Sequence, residues 1–486
     1  MMSSIRKKCS AACFRHCSAP PEFQLPASPC PELLLTNSVP SDVQLDEIHS
    51  FIRSTKAHFS ILDDQIAQVQ HTLCRLESQR TELADLVESH CGVVSTIRRL
   101  PGEVLGEIFS QYLGASDSCL HSPKALSHLV GVCAGWRGIA LASPLLWRHI
   151  RPIRRNKICD DSGELQQISL QLQRSAPVAL SVHLDEPVSP RVVDLLLTES
   201  RRWQNLYLTL EHPNYRNQNL TTSKVEFPIL EKLTLVTQYS PKDIALFGES
   251  LPAMVDFTFN ACKARIPRTL DIWAQLRTCT LTRCYTTDIL HVLPLFSAGT
   301  RVRLEHFLEG PEQLTSVHTV VSNLSICCHD DVIDNLLSCL TAPCLKRFRI
   351  EGDFSISPIT AFFDRSSCAL THLGISLCDG VDELTLLTSP HVCDVVDLDV
   401  DTRADRLMLW NLIEMLAARD IMSTPKLRTL VLRNCDWIDK AVVKMFEIQS
   451  NRRPVLRSLW LNRGGSFSPD TLQALKSGGL EVVIFE

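Results

Sequence analysis

The sequence predicts an α/β chain: a solenoid of strand–turn–helix repeats, preceded by a three-helix unit and a long coiled-coil helix. Three observations predict it. A short apolar phrase recurs every 22–32 residues through the C-terminal two thirds of the chain. An apolar seam in steps of three and four runs from Leu45 to Val87. Between them lie about fifty residues with three apolar stripes bounded by proline. At 486 residues the chain is several times the size of one compact core, so more than one structural unit is expected.

Composition narrows the class. Hydrophobic residues make up 45% and charged residues 21%, as in folded water-soluble proteins. The formal net charge of −5 argues against a nucleic-acid partner, which needs a basic face. No apolar run approaches the roughly 18 residues that span a bilayer, so no membrane partner is expected. The opening MMSSIRKKCSAACF has a basic start, but its apolar stretch is too short and polar for a signal peptide. These readings predict a cytoplasmic or nuclear protein, whose 20 cysteines are thiols rather than disulfides. Cys9, Cys13, His16 and Cys17 fit no familiar zinc spacing, so neither a metal nor another cofactor is expected.

Residues 1–41 carry Pro20, Pro21, Pro26, Pro29, Pro31 and Pro40, a density that opposes helix and predicts a disordered tail. Residues 42–91 are expected to form a coiled-coil helix. Its seam reads Leu45, Ile48, Ile52, Thr55, Phe59, Leu62, Ile66, Val69, Leu73, Leu76, Arg80, Leu83 and Val87, with only Thr55 and Arg80 polar. Cys91-Gly92 is read as its stop. A narrow stripe needs one partner helix, which predicts a homodimer through residues 45–87; a helix folded back onto its own chain is the other solution.

Residues 165–486 repeat the phrase apolar-x-x-apolar-x-apolar. Its copies start at Pro177, Trp203, Leu230, Met254, Leu276, Gly299, Val321, Leu345, Leu370, Val395, Leu427, Leu456 and Leu480. Most steps are 22–27 residues, the range of leucine-rich repeats. Cys262, Cys284, Cys378 and Cys435 each fall eight residues after a start, resembling the Asn/Cys turn position of such repeats. Helices are expected between strands at 190–202, 287–297, 331–340, 439–449 and 469–477. Ser189-Pro190, Ser240-Pro241, Ser357-Pro358 and Ser468-Pro469 are read as their starts. An ordinary α/β domain would not keep so even a period. Stacked repeats of this kind place strands on a concave side. There the second, fourth and sixth residues after each start face outward. The candidate target-binding residues are Arg301 and Arg303, Arg347 and Arg349, Asp397, Asp399 and Asp401, and Trp460, a basic stretch beside an acidic one with an aromatic anchor.

Residues 93–152 predict three short helices. Leu100-Pro101 opens the first, whose stripe is Val104, Leu105, Ile108, Phe109, Tyr112 and Leu113. Ser122-Pro123 caps the second, with Leu126, Leu129, Val130 and Val132. The third holds Trp136, Ile139 and Ala140, and Ser143-Pro144 ends it. So much apolar surface in fifty residues requires a partner or a neighbouring domain. The pattern L-P-x-E-V-L-x-x-I-F, then V-C-x-x-W, then P-L-L-W resembles the F-box family. It is carried by Leu100, Pro101, Glu103, Val104, Leu105, Ile108, Phe109, Val132, Cys133, Trp136, Ile139, Ala140, Pro144, Leu146 and Trp147. The connection GASDSCLHSPKAL is longer than the commonest form. A coiled coil, an F-box and leucine-rich repeats in this order are similar to large fungal F-box families.

The resemblance implies binding to the Skp-family linker of SCF cullin–RING ubiquitin ligases, and through it to a cullin, with the repeats selecting a target protein. The linker-binding residues it implies are Leu100, Pro101, Val104, Leu105, Ile108, Phe109, Leu129, Val132, Cys133, Trp136, Ile139, Leu146 and Trp147. A non-catalytic scaffold of coiled coil and repeats, uncoupled from ubiquitination, is the alternative. No enzyme is expected, because phosphate-loop, dinucleotide, zincin and nucleophile-elbow motifs are all missing. Cys327-Cys328-His329 is assigned to turn packing rather than to nucleophilic chemistry.

Overall fold

A computed structural model describes residues 25–114, 123–152, 162–185, 188–210, 225–237, 251–261, 265–266, 271–310, 312–328, 332–352, 354–376, 386–387, 389–401, 412, 426–433, 456–462, 473, 476 and 481–485. It divides into two compact units, Met1–Pro101 and Gly102–Glu486. The second unit holds the F-box-like stretch from Gly102 onward together with the repeats.

In the first unit Pro31–Leu34 forms a single 3-10 turn within the stretch expected to be a disordered tail, with Pro31 at the first position, where a missing N–H costs nothing. Pro26, Pro29 and Pro40 stand in stretches without helix or strand, and residues 1–24, with Pro20, Pro21, Cys9, Cys13, His16 and Cys17, lie outside the described residues. Helix α1 runs Asp42–Val94 without interruption. At about 1.5 Å per residue it is roughly 80 Å long. Gln44 reaches back to accept the Ser41 backbone N–H at 2.9 Å, half of a capping box that fixes the start. The expected stop at Cys91-Gly92 is wrong: Gly92 lies inside the helix, which continues to Val94. One glycine costs only about 1 kcal/mol in a helix, too little to end one this long. No residue of α1 is fully buried. Ile48, Thr55 and Leu62 are half-buried, and the other apolar seam residues are between 37% and 68% exposed.

The second unit begins with α2 (Gly102–Gly114), α3 (Pro123–Val132), α4 (Ala134–Ala142) and a 3-10 turn at Pro144–Trp147. Fourteen strands among the described residues then form one all-parallel sheet in chain order. They are β1 (His149–Ile150), β2 (Leu180–Leu184), β3 (Trp203–Thr209), β4 (Lys232–Thr237), β5 (Asp256–Ala261), β6 (Thr278–Thr282), β7 (Arg301–Glu305), β9 (Asn323–Cys327), β11 (Arg347–Glu351), β12 (His372–Ser376), β13 (Asp397–Asp401), β14 (Thr429–Arg433), β15 (Ser458–Asn462) and β16 (Glu481–Phe485). β8 (Val317–His318) and β10 (Leu340–Thr341) form a separate parallel pair. The crossovers carry α5 (Ser162–Ser175), α6 (Pro190–Leu197), α7 (Thr286–Val292), α8 (Val332–Cys339) and α9 (Ile356–Ser366). One strand per repeat, each paired to the next, is a leucine-rich-repeat-like solenoid.

The apolar phrase sets the register. Leu206, Leu233, Phe257, Cys279, Val302, Leu324, Phe348, Leu373, Leu398, Leu430 and Leu459 stand side by side across the sheet, and every one is buried. The next row, two residues on, is buried as well, from Leu208 to Leu461. Two starts move. Val182 pairs with Leu206, so the first phrase begins at residue 179 and Pro177 lies in the turn that closes α5. Val482 pairs with Leu459, so the last begins at residue 479 rather than Leu480. Both registers there are apolar, and backbone pairing with β15 selects between them.

Helix starts follow proline only in part. Ser189 caps α6 with Pro190 at its first position, as expected. Helix α9 begins at Ile356 with Ser355 as its cap, one residue pair before the expected Ser357-Pro358, because proline is tolerated throughout a first turn. Expected helices at 439–449 and 469–477, and starts at Ser240-Pro241 and Ser468-Pro469, lie outside the described structure or almost wholly so.

Cysteine fills the turns. Cys284 is fully buried, its Sγ 3.6 Å from the Thr282 carbonyl, and Cys328 Sγ lies 3.6 Å from the Phe307 carbonyl of the preceding repeat. Cys262, Cys378 and Cys435 lie outside the described residues. After β11 the chain turns at Gly352, with φ of +112°, where an added Cβ would stand 1.5 Å from the Cys328 carbonyl oxygen. Gly352→Ala must therefore displace backbone, and is expected to cost at least about 2 kcal/mol. A fall in the urea midpoint of the full chain checks this; an unchanged midpoint contradicts it.

Candidate functional site

The first candidate surface is built by α2, α3, α4 and the turn after them. Along α2 the predicted stripe splits in two. Leu105, Phe109 and Leu113 are buried, while Val104, Ile108 and Tyr112, one turn apart, are 43%, 43% and 55% exposed. The inward set meets α4: Phe109 and Trp136 rings lie 4.8 Å apart, tilted by 52°. Small residues allow that approach. A Cβ on Gly102 would touch Ile139 at 3.7 Å, and one on Gly106 would touch Ser143 Oγ at 3.5 Å. Cys133 caps α4, its sulfur accepting the Trp136 N–H at 3.4 Å. The Trp147 indole N–H donates to the Ala140 carbonyl at 2.8 Å, fixing the closing turn under the helix it follows.

The residues implied by the resemblance therefore fall into three groups. Leu105, Phe109, Leu129 and Leu146 are buried. Leu100, Trp136, Ile139 and Trp147 are half-buried. Pro101, Val104, Ile108, Val132 and Cys133 are exposed. Tyr112, Leu141 and Leu145 are exposed apolar residues that the motif alone did not single out. The four-residue spacing of Val104, Ile108 and Tyr112 was the available signal.

This unit is welded to the sheet. His149 and Ile150, directly after the closing turn, form β1 and pair with Ser181 and Val182. The Gln171 amide on α5 donates to the His149 carbonyl at 2.6 Å, and the Arg174 guanidinium lies 4.5 Å over the Trp147 ring. Arg148 reaches Gln204 of β3 at 3.1 Å.

The second candidate surface is the open face of β7 to β15. The register places Arg301, Arg303, Arg347, Arg349, Asp397, Asp399, Asp401 and Trp460 on the face opposite the buried rows. Arg349, Asp399 and Trp460 share one row of it. A groove of about 710 Å³ is lined by Arg347, Arg349, His372, Asp397, Asp399, Arg433 and Trp460 among others.

The basic and acidic stretches, separate in sequence, are joined here. Arg349 donates to Glu351 on its own strand and to Asp399 two strands away. Asp399 also takes a forked bond from Arg433, with Nε and Nη2 both at 2.9 Å. Burial weakens the Arg349 charge, but Asp399 and Glu351 outweigh it and hold its pKa above the ordinary value. Beside this network His372 Nε2 is 2.5 Å from Asp397. Burial, assisted by Arg347, outweighs Asp397 and lowers the His372 pKa from its usual value. Arg303 is engaged by Glu305 at 2.5 Å, while Arg301 and Arg347 are exposed on either side of Asn323.

A glycine makes the crossing possible. Arg349 must lie over β12 to reach Asp399, and Gly374 stands between them in the row. A Cβ there would be 2.8 Å from Arg349 Cγ and 3.2 Å from its Cβ. Glycine weakens a strand interior, so its place in β12 reflects this close approach.

Thiol chemistry is disfavoured on the same face. Burial, then Glu351 and Glu305, raise the Cys327 pKa, and Cys328 is buried in the turn. His329 lies outside the described residues. Among the described residues no group of His, Cys, Asp or Glu is arranged to hold a metal ion, and no helix is long and apolar enough to cross a membrane.

Residues 97–152 match the F-box-like family, so the first candidate surface belongs to an F-box-like domain. No curated protein matches the chain.

The Gly374 geometry predicts a coupled pair. Gly374→Ala alone should cost about 1–2 kcal/mol by displacing Arg349, whereas in an Arg349→Ala background it should be neutral or gain up to about 1 kcal/mol. Chemical unfolding of the four variants measures the coupling, and equal effects in both backgrounds contradict it.

Proposed function

We propose that the chain is a non-catalytic substrate adaptor of an SCF-type cullin–RING ubiquitin ligase. Its F-box-like domain binds the Skp-family linker, and the open face of its repeats binds the target protein. The F-box-like match at residues 97–152 carries the proposal. The exposed apolar residues of that domain support it: Val104, Ile108, Tyr112, Val132, Leu141 and Leu145 remain exposed after the domain has packed its own core and joined the sheet. Exposed apolar surface of this density on a welded domain fits a docking face. The buried Leu105, Phe109, Leu129 and Leu146 shape that face from beneath.

On the target side, Arg349, Asp397 and Asp399 hold one another or close neighbours, so they fix the groove walls. Arg301, Arg347 and Trp460 supply the recognition. Exposed guanidinium groups on β7 and β11 and an exposed indole on β15, spread along one face, suit a protein segment with acidic and apolar residues. A full-length affinity capture tests both halves. Val104→Glu with Ile108→Glu should remove linker and cullin together by more than tenfold while leaving target capture intact. Arg347→Ala with Trp460→Ala should do the reverse. Linker recovered without cullin favours a scaffold uncoupled from ubiquitination, and linker retained by the first variant refutes the docking face.

A further inference from the structure

We infer that α1 pairs with α1 of a second copy in the antiparallel sense, in the register that sets Ile48 opposite Val87. Asp42–Val94 is one unbroken helix, so its seam is not closed by α1 folding in half. Its seam from Phe59 onward is exposed, among the described residues, apart from half-buried Leu62. In heptad terms Leu45, Ile52, Phe59, Ile66, Leu73, Arg80 and Val87 take one core position, and the intervening seam residues take the other.

The two polar breaks discriminate between arrangements. In a parallel, in-register pair Arg80 meets Arg80, placing like charges in a core layer, and Thr55 meets Thr55. In the antiparallel register Thr55 of each copy meets Arg80 of the other, the other layers from Ile48 against Val87 to Ile66 against Val69 are apolar on both sides, and Leu45 faces His90 at the end. Thr55 Oγ1 has no hydrogen-bond partner within the described chain, and in this register Arg80 of the other copy brings a donor to it.

The flanks agree independently. In this register Phe51 lies beside Leu86 of the other copy, and Lys56 beside Glu77. The parallel register sets Phe51 beside Lys56 instead. Three matches, one polar, one apolar and one ionic, arise from a single offset. They match this helix to itself, which identifies the occupant as a second copy rather than an unrelated helix.

The inference does not depend on ligase function. Sedimentation of the full chain should show a dimer. Lys56→Glu and Glu77→Lys should each weaken it roughly tenfold, since each creates two like-charge contacts. The double variant should restore it, and a mixture of the two single variants should dimerise better than either alone. Carbodiimide coupling of mixed light and heavy chains should join Lys56 of one copy to Glu77 of another. Within one helix these residues are about 30 Å apart and cannot be joined. A monomer at micromolar concentration, a dimer indifferent to the charge variants, or no Lys56–Glu77 coupling between chains overturns the inference.

Discussion

A short strand cannot satisfy its own backbone or bury its own side chains, and among the described residues each repeat contributes one such strand to the main sheet. Stability therefore resides between repeats. Each strand lends its N–H and carbonyl groups to the next, and its two inward side chains close a layer that neighbours on both sides complete. The register linking Leu206 to Leu459 is the constraint from which the rest follows. It decides which residues are buried, which face outward, and where the crossover helices must begin.

That constraint also organises the outward face. Because lateral neighbours are fixed at strand spacing, a residue in β11 and one in β13 are separated by a single intervening side chain, whatever their distance in sequence. Arg349 and Asp399 are fifty residues apart along the chain and meet over Gly374. The result is a charge network spanning β11 to β14 that holds itself rigid, with Arg347 and Trp460 displayed beside it.

Much of this was legible in the sequence. The phrase apolar-x-x-apolar-x-apolar located the interior strands, since alternation along a strand is a local property. The F-box-like helices were legible for a similar reason, their stripes being set by helical spacing. What escaped was of three kinds. Strand β1 has two residues, too few to show a period. The first and last phrases were misplaced because more than one register was apolar. The Arg349–Asp399 link was invisible because it depends on which strands are neighbours, and the role of Gly374 depends on that link. The end of α1 was misread because Gly92 looked like a stop where the local cost of glycine is small.

The junction at His149 and Ile150 carries one more consequence. Those residues end the F-box-like domain and begin the sheet, so the two are parts of one continuous hydrogen-bonded lattice with no joint between them. Parallel strands lie about 4.8 Å apart. The distance along the sheet from the F-box-like domain to the groove at β11–β15 is therefore counted in whole repeats, like graduations on a ruler. Evolution can retune the reach of such a protein only by inserting or deleting a repeat, and side-chain substitution leaves the scale untouched.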